Sequence, residues 1–307
     1  MINLVPDGLA GERVDAAAAR ITGWSRSTVA EQIEAGLVAL DGVVVTKASQ
    51  RVKAGQMLDI DEPQRTVVSV KPQLADGLAI VHLDDAVVVV DKPAGVAAHP
   101  SLGWSGPDVL AHLAAAGISV AQAGPPERGG IVQRLDVGTS GLMVVARTTP
   151  AYSHLKAQFR AHTVEKLYQA VVQGHPDPPI GTVDAPIGHA GGGQWRFKVR
   201  SDGRASVTHY ETVELMRGAA LLGLNLETGR THQIRVHMQA IRHPLVGDLV
   251  YGADPVLAAR LGLQRQWLHA VRLTFTHPVT GESVTFESSP SDDLRRALGL
   301  LRGDVAE

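Results

Sequence analysis

The sequence predicts an α+β protein built from two units. Helical and strand periodicities alternate irregularly along the chain, and no βαβ repeat specifies a doubly wound sheet. The first sixty residues hold two amphipathic helices followed by short β-rich runs, enough for a small α/β module. A stretch with two prolines and no helical period then precedes a longer unit. These breaks place a small domain at 1–61, a linker at 62–76 and a large domain at 77–303.

In "ERVDAAAARI", Val14, Ala18 and Ile21 recur at helical spacing, and in "WSRSTVAEQIEAG" Val29, Ile33 and Leu37 do the same. Ser25 or Thr28 starts the second helix, Thr28 with Glu31 fitting a capping box, and Gly36 ends it. "VALDGVVV" sets Asp41-Gly42 between two β-rich runs, a strong hairpin signal, and "RVKAGQMLDI" adds a strand.

In the large domain, "AVVVVDKPAG" reads as a buried strand ended by Lys92-Pro93 and Gly95. "SHLKAQFRAHTV" is helical and "EKLYQAVVQG" a strand. "ALLGLNLETG" alternates Leu222, Leu224 and Leu226 on one face. "RTHQIRVHMQAIRH" predicts a helix with Ile234, Met238 and Ile241 inward and Arg235, Gln239 and Arg242 on a neighbouring polar face. "LHAVRLTFTHPVTGESVTFE" gives two strands around a Pro/Gly turn, and "AGGGQ" at 190–194 a flexible turn.

Composition narrows the function classes. With 307 residues, 44% of them hydrophobic, the chain can bury a large core. A net charge of −2 argues against coating nucleic acid through bulk charge, so any such contact must come from a local basic patch. Absence of cysteine excludes disulfides, thiolate metal sites and cysteine nucleophiles. The N-terminus shows no signal-peptide pattern, and no apolar run approaches the roughly 20 residues of a membrane span. A cytoplasmic location is expected, with no membrane partner.

The 13 histidines include no H-E-x-x-H, and His232 and His237 fall on different helix faces, so no metal site is expected. "GTSG" around Ser140 lacks a nucleophile elbow, and no phosphate loop occurs. The informative stretch is "IVQRLDVGTSGLMVV" at 131–145, where Arg134 and Asp136 interrupt an otherwise apolar segment. On an extended backbone the two side chains point the same way. Pattern alone allows a capped loop between strands as well as an active site.

"GGIVQRLDVGTSGLMVVARTTPAYSHLKAQFRAHTVEKLYQAVVQG", "LETGRTHQIRVHMQAIRHPLVGDLVYG" and "LHAVRLTFTHPVTGE" occur in this order. Together they resemble the RluA/RluD family of pseudouridine synthases, from about residue 78 to 300. The preceding module, with its "SRS" and "V-x-x-DG", resembles the RNA-binding domain named after small-subunit ribosomal protein S-four. One position departs from the family pattern: Gln133 stands where the family usually has histidine before R-L-D.

The resemblance implies a catalytic domain on a mostly antiparallel mixed sheet, with flanking helices and a central cleft. It implies isomerisation of uridine to pseudouridine without cofactor. It assigns catalysis to Asp136, which attacks ribose or base or removes a ribose proton, the routes remaining open. Arg235 matches the cation that holds this carboxylate ionised, Tyr168 the tyrosine that stacks on the target uracil, and Arg134 the residue that enters the RNA stack beside the flipped nucleotide. In the small domain it places Arg26, Lys47 and Arg51 on phosphates; by pattern alone they read as solvated charges.

"WRFKVR" alternates Arg196, Lys198 and Arg200 with Phe197 and Val199, which predicts a basic stripe or a solvated strand face. The expected partner is RNA: a stem-loop of large-subunit (23S) ribosomal RNA first, transfer RNA second, acted on by a monomer. A non-catalytic ribosome-assembly factor is the alternative from another class. Such a factor would be expected to lose Asp136, Tyr168 or Arg235, and all three are present.

Overall fold

The computed structural model describes residues 1–24, 26–61, 70–101, 103–191 and 196–303. The chain divides into compact units Met1–Val67 and Val68–Glu307. No helix among the described residues is long and apolar enough to cross a membrane.

The first unit comprises β1 (Ile2–Leu4), α1 (Val14–Thr22), α2 (Arg26–Glu34), β2 (Val38–Leu40), β3 (Val43–Val44) and β4 (Met57–Ile60). Its strands form an antiparallel sheet in the order β1-β4-β2-β3. Val14, Ala17 and Ala18 of α1 and Val29 and Ile33 of α2 pack on Leu40, Leu58 and Ile60. Leu37, expected in phase with them, lies beyond the end of α2 and is exposed. Helix α2 already contains Thr28, so that residue does not start it; Ser25 lies outside the described residues. Asp41 and Gly42 both take positive φ (50° and 79°), the two left-handed positions a tight hairpin turn requires. The Asp41 carboxylate fixes the turn by accepting from the Met57 amide at 2.8 Å and Gln56 Nε2 at 2.8 Å.

The second unit comprises β5 (Ala79–Leu83), β6 (Val87–Lys92), α3 (Val109–Ala115), β7 (Ser140–Ala146), α4 (Thr149–Ala161), β8 (Glu165–Gln173), β9 (Ile180–Asp184), β10 (Ile187–His189) and β11 (Phe197–Val199). It continues with β12 (Val207–Met216), β13 (Ala219–Leu226), α5 (Gln233–Ala240), α6 (Pro255–Arg260), β14 (Leu268–Thr276), β15 (Ser283–Glu287) and α7 (Asp292–Arg302). One sheet runs β5-β6-β7-β14-β8-β13-β12-β9, with β15 also on β14; β10 and β11 form a separate ribbon. Only the β7–β14 pair within that sheet is parallel, which makes it mixed and mostly antiparallel.

Both faces of the sheet are covered. Val88, Val90, Met143 and Tyr168 pack with α3 and α5 on one side. Val87, Val89, Leu142 and Leu273 pack with α4 on the other, and Trp267 with α7 on the same sheet farther along. The valine run of β6 is therefore buried on both faces, which is why it lacks an alternating pattern. Residues 70–76, expected as linker, lie against this unit: Gln73 N–H donates to Ala111 at 3.0 Å, and Ala75 is buried. The remainder of that stretch, 62–69, and residues 192–194 of the expected glycine turn lie outside the described residues.

Gly141 lets β7 approach β14. It has φ +114°, and a Cβ there would stand 2.3 Å from the Ala270 carbonyl oxygen. A glycine in this strand marks a close approach of backbone to backbone. The approach sets the start of β7 against β14, which separates it from β8 in the sheet.

Candidate active site

Residues 131–139 form the loop that enters β7. Val132 and Leu135 are buried and anchor it, and they line, with Arg134 and Asp136, a cleft of about 450 Å³. The loop's backbone is held from below. Gly95 N–H donates to the Val137 carbonyl at 2.9 Å, Arg265 Nη1 to the Gly138 carbonyl at 3.1 Å, and Lys92 Nζ to the Val137 carbonyl at 3.4 Å. Gln266 Nε2 donates to Thr139 Oγ1 at 3.1 Å.

Lys92 is fully buried and also donates to the carbonyls of Pro93 (2.9 Å) and Val96 (2.8 Å). Burial lowers its pKa to about 7, with Asp136 pulling the other way. A lysine at the end of four valines was a legible anomaly in the sequence, and its role was missed there.

Asp136 is partly open to the cleft and accepts from Arg235 Nη1 at 3.4 Å. Sequence periodicity put Arg235 on a polar face with Gln239 and Arg242. The structure corrects this: Gln239 and Arg242 are exposed, whereas Arg235 is buried. The reason is a second acid. Asp248, 2% exposed, takes Arg235 in a bidentate pair, Nε to Oδ2 at 2.6 Å and Nη2 to Oδ1 at 2.9 Å. Burial opposes the Arg235 charge, but these bonds outweigh it and hold its pKa above the ordinary value. The Tyr251 ring lies under the guanidinium, 4.8 Å from its carbon. Asp248 and Tyr251 were not singled out in the sequence, where they are an acid and an aromatic in "VGDLVYG".

Tyr168 lies on β8 between Leu224 of β13 and Ala270 of β14. Burial, and then the charge of Asp136, push its phenol pKa well above the ordinary value. It therefore acts as a neutral ring with a hydroxyl at neutral pH. Arg134 is exposed, and its guanidinium donates to Thr231 Oγ1. Gln133 also lines the cleft, and its Nε2 is buried with no hydrogen-bond partner among the described residues.

Asp136, Arg134, Tyr168 and Arg235 therefore line one cleft although they are up to about a hundred residues apart in sequence. Lys156, Arg160, Lys166 and Arg230 line it too, against only Asp136 and Glu227 as acids among the described residues. The i, i+4 spacing of Lys156 and Arg160 on α4 was the available signal. The stripe on β11 is not part of this lining. Phe197 packs near Val236 and Tyr251, whereas Val199 is exposed. Arg200 pairs with Asp202 at 2.6 Å, Arg196 lies over Tyr251, and Lys198 is exposed. In the first unit Arg26 pairs with Asp15 at 2.8 Å, Arg51 donates to the Gly11 carbonyl, and Lys47 is exposed.

The family model described as RNA pseudouridylate synthase matches residues 86–240, which contain the loop at 131–139, α4, β8 and α5. The chain belongs to this family. The synthase also carries a match to the S4 domain at residues 12–58. It is 54% identical to an uncharacterized RNA pseudouridine synthase of Mycobacterium bovis, over 98% of this chain and 97% of that one. It is 39% identical to the ribosomal large subunit pseudouridine synthase D of Zymomonas mobilis, over 95% of this chain and 94% of that one. Among solved structures, human RNA Pseudouridylate Synthase Domain Containing 4 superposes with a TM-score of 0.57 at 25% identity, covering 73% of this chain and 93% of that chain. The synthase is thus an RNA-acting isomerase on an α+β fold. The cleft surplus of cations suits the charge of that substrate.

Proposed function

We propose that this synthase converts uridines to pseudouridine in a stem-loop of large-subunit ribosomal RNA, with Asp136 as its catalytic carboxylate. The observation that carries the catalytic part is the meeting of Asp136 and Arg235 at 3.4 Å in a cation-lined cleft. The substrate part is supported by relatives named ribosomal large subunit pseudouridine synthase D, which match nearly the whole chain, S4 domain included.

In this reading the target nucleotide leaves its stack and enters the cleft, at a cost of a few kcal/mol that is least in a loop. Arg134, on the same loop as Asp136, takes the vacated place in the stack. Tyr168 stacks on the uracil. Arg235, clamped by Asp248, orients Asp136. Asp136 then attacks the sugar or the base, or takes a ribose proton; each route returns an isomer of uridine. Lys156, Arg160 and Lys166 carry the phosphates that flank the flipped nucleotide. The monomer binds the stem-loop also through Arg26, Lys47 and Arg51 of the small domain (1–61, joined at 62–76 to the catalytic domain 77–303), and through Arg196, Lys198 and Arg200.

Pseudouridine mapping across ribosomal and transfer RNA, with and without the gene for this chain, tests the reading. Loss of one or more large-subunit ribosomal sites is expected. Loss at transfer RNA alone would overturn the substrate, and no loss would overturn the assignment of this cleft.

A further inference from the structure

His232 sits where the cleft meets the start of α5, next to the Asp136–Arg235 pair. Its backbone is left-handed, with φ 58°, and its ring packs edge-on against Phe197 and Tyr251, with centroids at 5.7 and 5.6 Å. The ring is therefore oriented by packing on two sides. Its Nδ1 lies 2.8 Å from Tyr251 Oη, and that oxygen also accepts from the Phe197 amide N–H at 3.2 Å. The Phe197 N–H takes one acceptor position of Tyr251 Oη, an arrangement in which the phenol's own proton can point at Nδ1. A ring that accepts at Nδ1 carries its proton at Nε2. Nε2 stands 3.9 Å from Asp136 Oδ2, on the cleft side.

We propose that Tyr251 fixes His232 in its Nε2–H form, and that this N–H donates to the uracil carbonyl oxygen on which charge collects as the glycosidic bond breaks. The inference rests on the reading of Asp136 as the carboxylate beside the ribose. When the bond from ribose C1′ to uracil N1 breaks, its electron pair leaves with the base and spreads onto O2 and O4. His232 gives up no proton in this step; it lends a hydrogen bond to the departing anion. The detached base turns, carbon 5 bonds to C1′, and the proton lost from carbon 5 matches the one gained at nitrogen 1.

A donor oriented before charge develops is worth more than one that must reorganise, because its ordering cost is met on folding. Neutrality also suits the position. Burial holds the His232 pKa below its ordinary value against the pull of Asp136. An imidazolium there would pair with Asp136 and withdraw the carboxylate from the ribose. Arg134, Arg235 and Asp248 also act on His232 by charge, but the tautomer is set by Tyr251 through Nδ1.

Two measurements on the full chain test this. Nitrogen NMR of isotope-labelled histidine, with His232 assigned through His232→Gln, reads the tautomer without any RNA. The Nε2–H form is expected in the wild type and a mixture in Tyr251→Phe. A dominant Nδ1–H form or an imidazolium at neutral pH overturns the proposal. Single-turnover rates on in vitro transcribed large-subunit ribosomal RNA read the chemistry. His232→Leu is expected to lose about 10²–10³-fold in rate, as removal of a preorganised donor does elsewhere, with RNA binding unchanged. His232→Gln, which keeps an N–H, should recover about tenfold of that loss. Equal rates for the Leu and Gln variants, or a Leu variant near wild-type rate, overturn it. If the wild type forms no pseudouridine on this RNA, the ribosomal substrate fails, while the NMR result still decides the tautomer.

Discussion

Asp248 makes no contact with the proposed catalytic carboxylate, yet its removal should be felt in both stability and rate. It is 2% exposed and holds two nitrogens of an arginine that is itself 6% exposed. Asp248→Ala leaves the Arg235 guanidinium buried, with Asp136 at 3.4 Å as its remaining acid among the described residues. Breaking a buried pair by deleting one partner costs about 3–5 kcal/mol, since the other charge stays desolvated. For a unit the size of Val68–Glu307 each kcal/mol moves the melting temperature by about 2–4 °C, so a fall of about 6–20 °C is expected. Arg235 should then swing toward Asp136 and close on it, and misplacement on the scale of 1 Å can cost about 10²-fold in rate. Replacing both partners by apolar residues, Arg235→Met with Asp248→Leu, should recover much of the stability and none of the turnover. Thermal denaturation and single-turnover pseudouridine formation, measured on all three proteins, separate the effects. A single variant with wild-type melting and rate, or a double variant that turns over, would refute the reasoning.

Asp136→Asn keeps shape and removes the charge, so melting should stay within about 2 °C of the wild type while pseudouridine formation is lost; retained turnover would exclude the carboxylate role. Tyr168→Phe should bind RNA as well as the wild type, since base–aromatic stacking worth about 1–3 kcal/mol is kept. Because burial keeps the Tyr168 phenol protonated, any rate deficit of that variant should not grow as pH rises from neutral toward the alkaline range, and a growing deficit would mean that a phenolate acts. Gly141→Ala meets both a positive φ and the Ala270 carbonyl at 2.3 Å, so it should destabilise by more than the about 1–3 kcal/mol of backbone strain alone, read as a lower melting temperature. Asp15, bonded by Arg13 and Arg26, has its pKa lowered to about 2. Its folded value is below the unfolded one of about 3.9, so its contribution is present above that value and is lost as pH falls toward about 2. Acid unfolding of Asp15→Asn should therefore lack that part of the wild-type slope.

What was legible in the sequence depended on whether the determining contact was local. The Asp41-Gly42 hairpin needs two left-handed residues in a row, which the chain states directly, and it formed as read. The helical phase of α1 and the strand runs of β6, β8 and β14 likewise state their own burial. Arg235 did not, because its environment is decided by Asp248, thirteen residues on, and by the way α5 packs over it. The helix pattern alone sees an arginine next to Ile234 and assigns it to water. Lys92 was similarly hidden: three carbonyls from two loops receive its ammonium, and carbonyls leave no mark in a sequence. On β11 the strand formed as read but Val199 stays exposed, since a three-residue ribbon strand has too little covering layer to bury it.

The charge distribution ties the two levels together. A net charge of −2 would repel a polyanion at long range, and screening over about 8 Å makes that average nearly irrelevant at contact. In the proposed reading an RNA strand meets Arg134, Lys156, Arg160, Lys166 and Arg230 at the cleft, with Asp136 and Glu227 as the acids of its lining. Lys156, Arg160 and Lys166 make no ion pair among the described residues, whereas Arg235, which must not bind phosphate, is already taken by Asp248. Pairing status thus sorts the cations of the cleft by task. In the proposed reading those without an acid partner are available to the RNA backbone, and the one with a buried partner is reserved for Asp136, so that substrate phosphates would not compete with the carboxylate for its counter-charge.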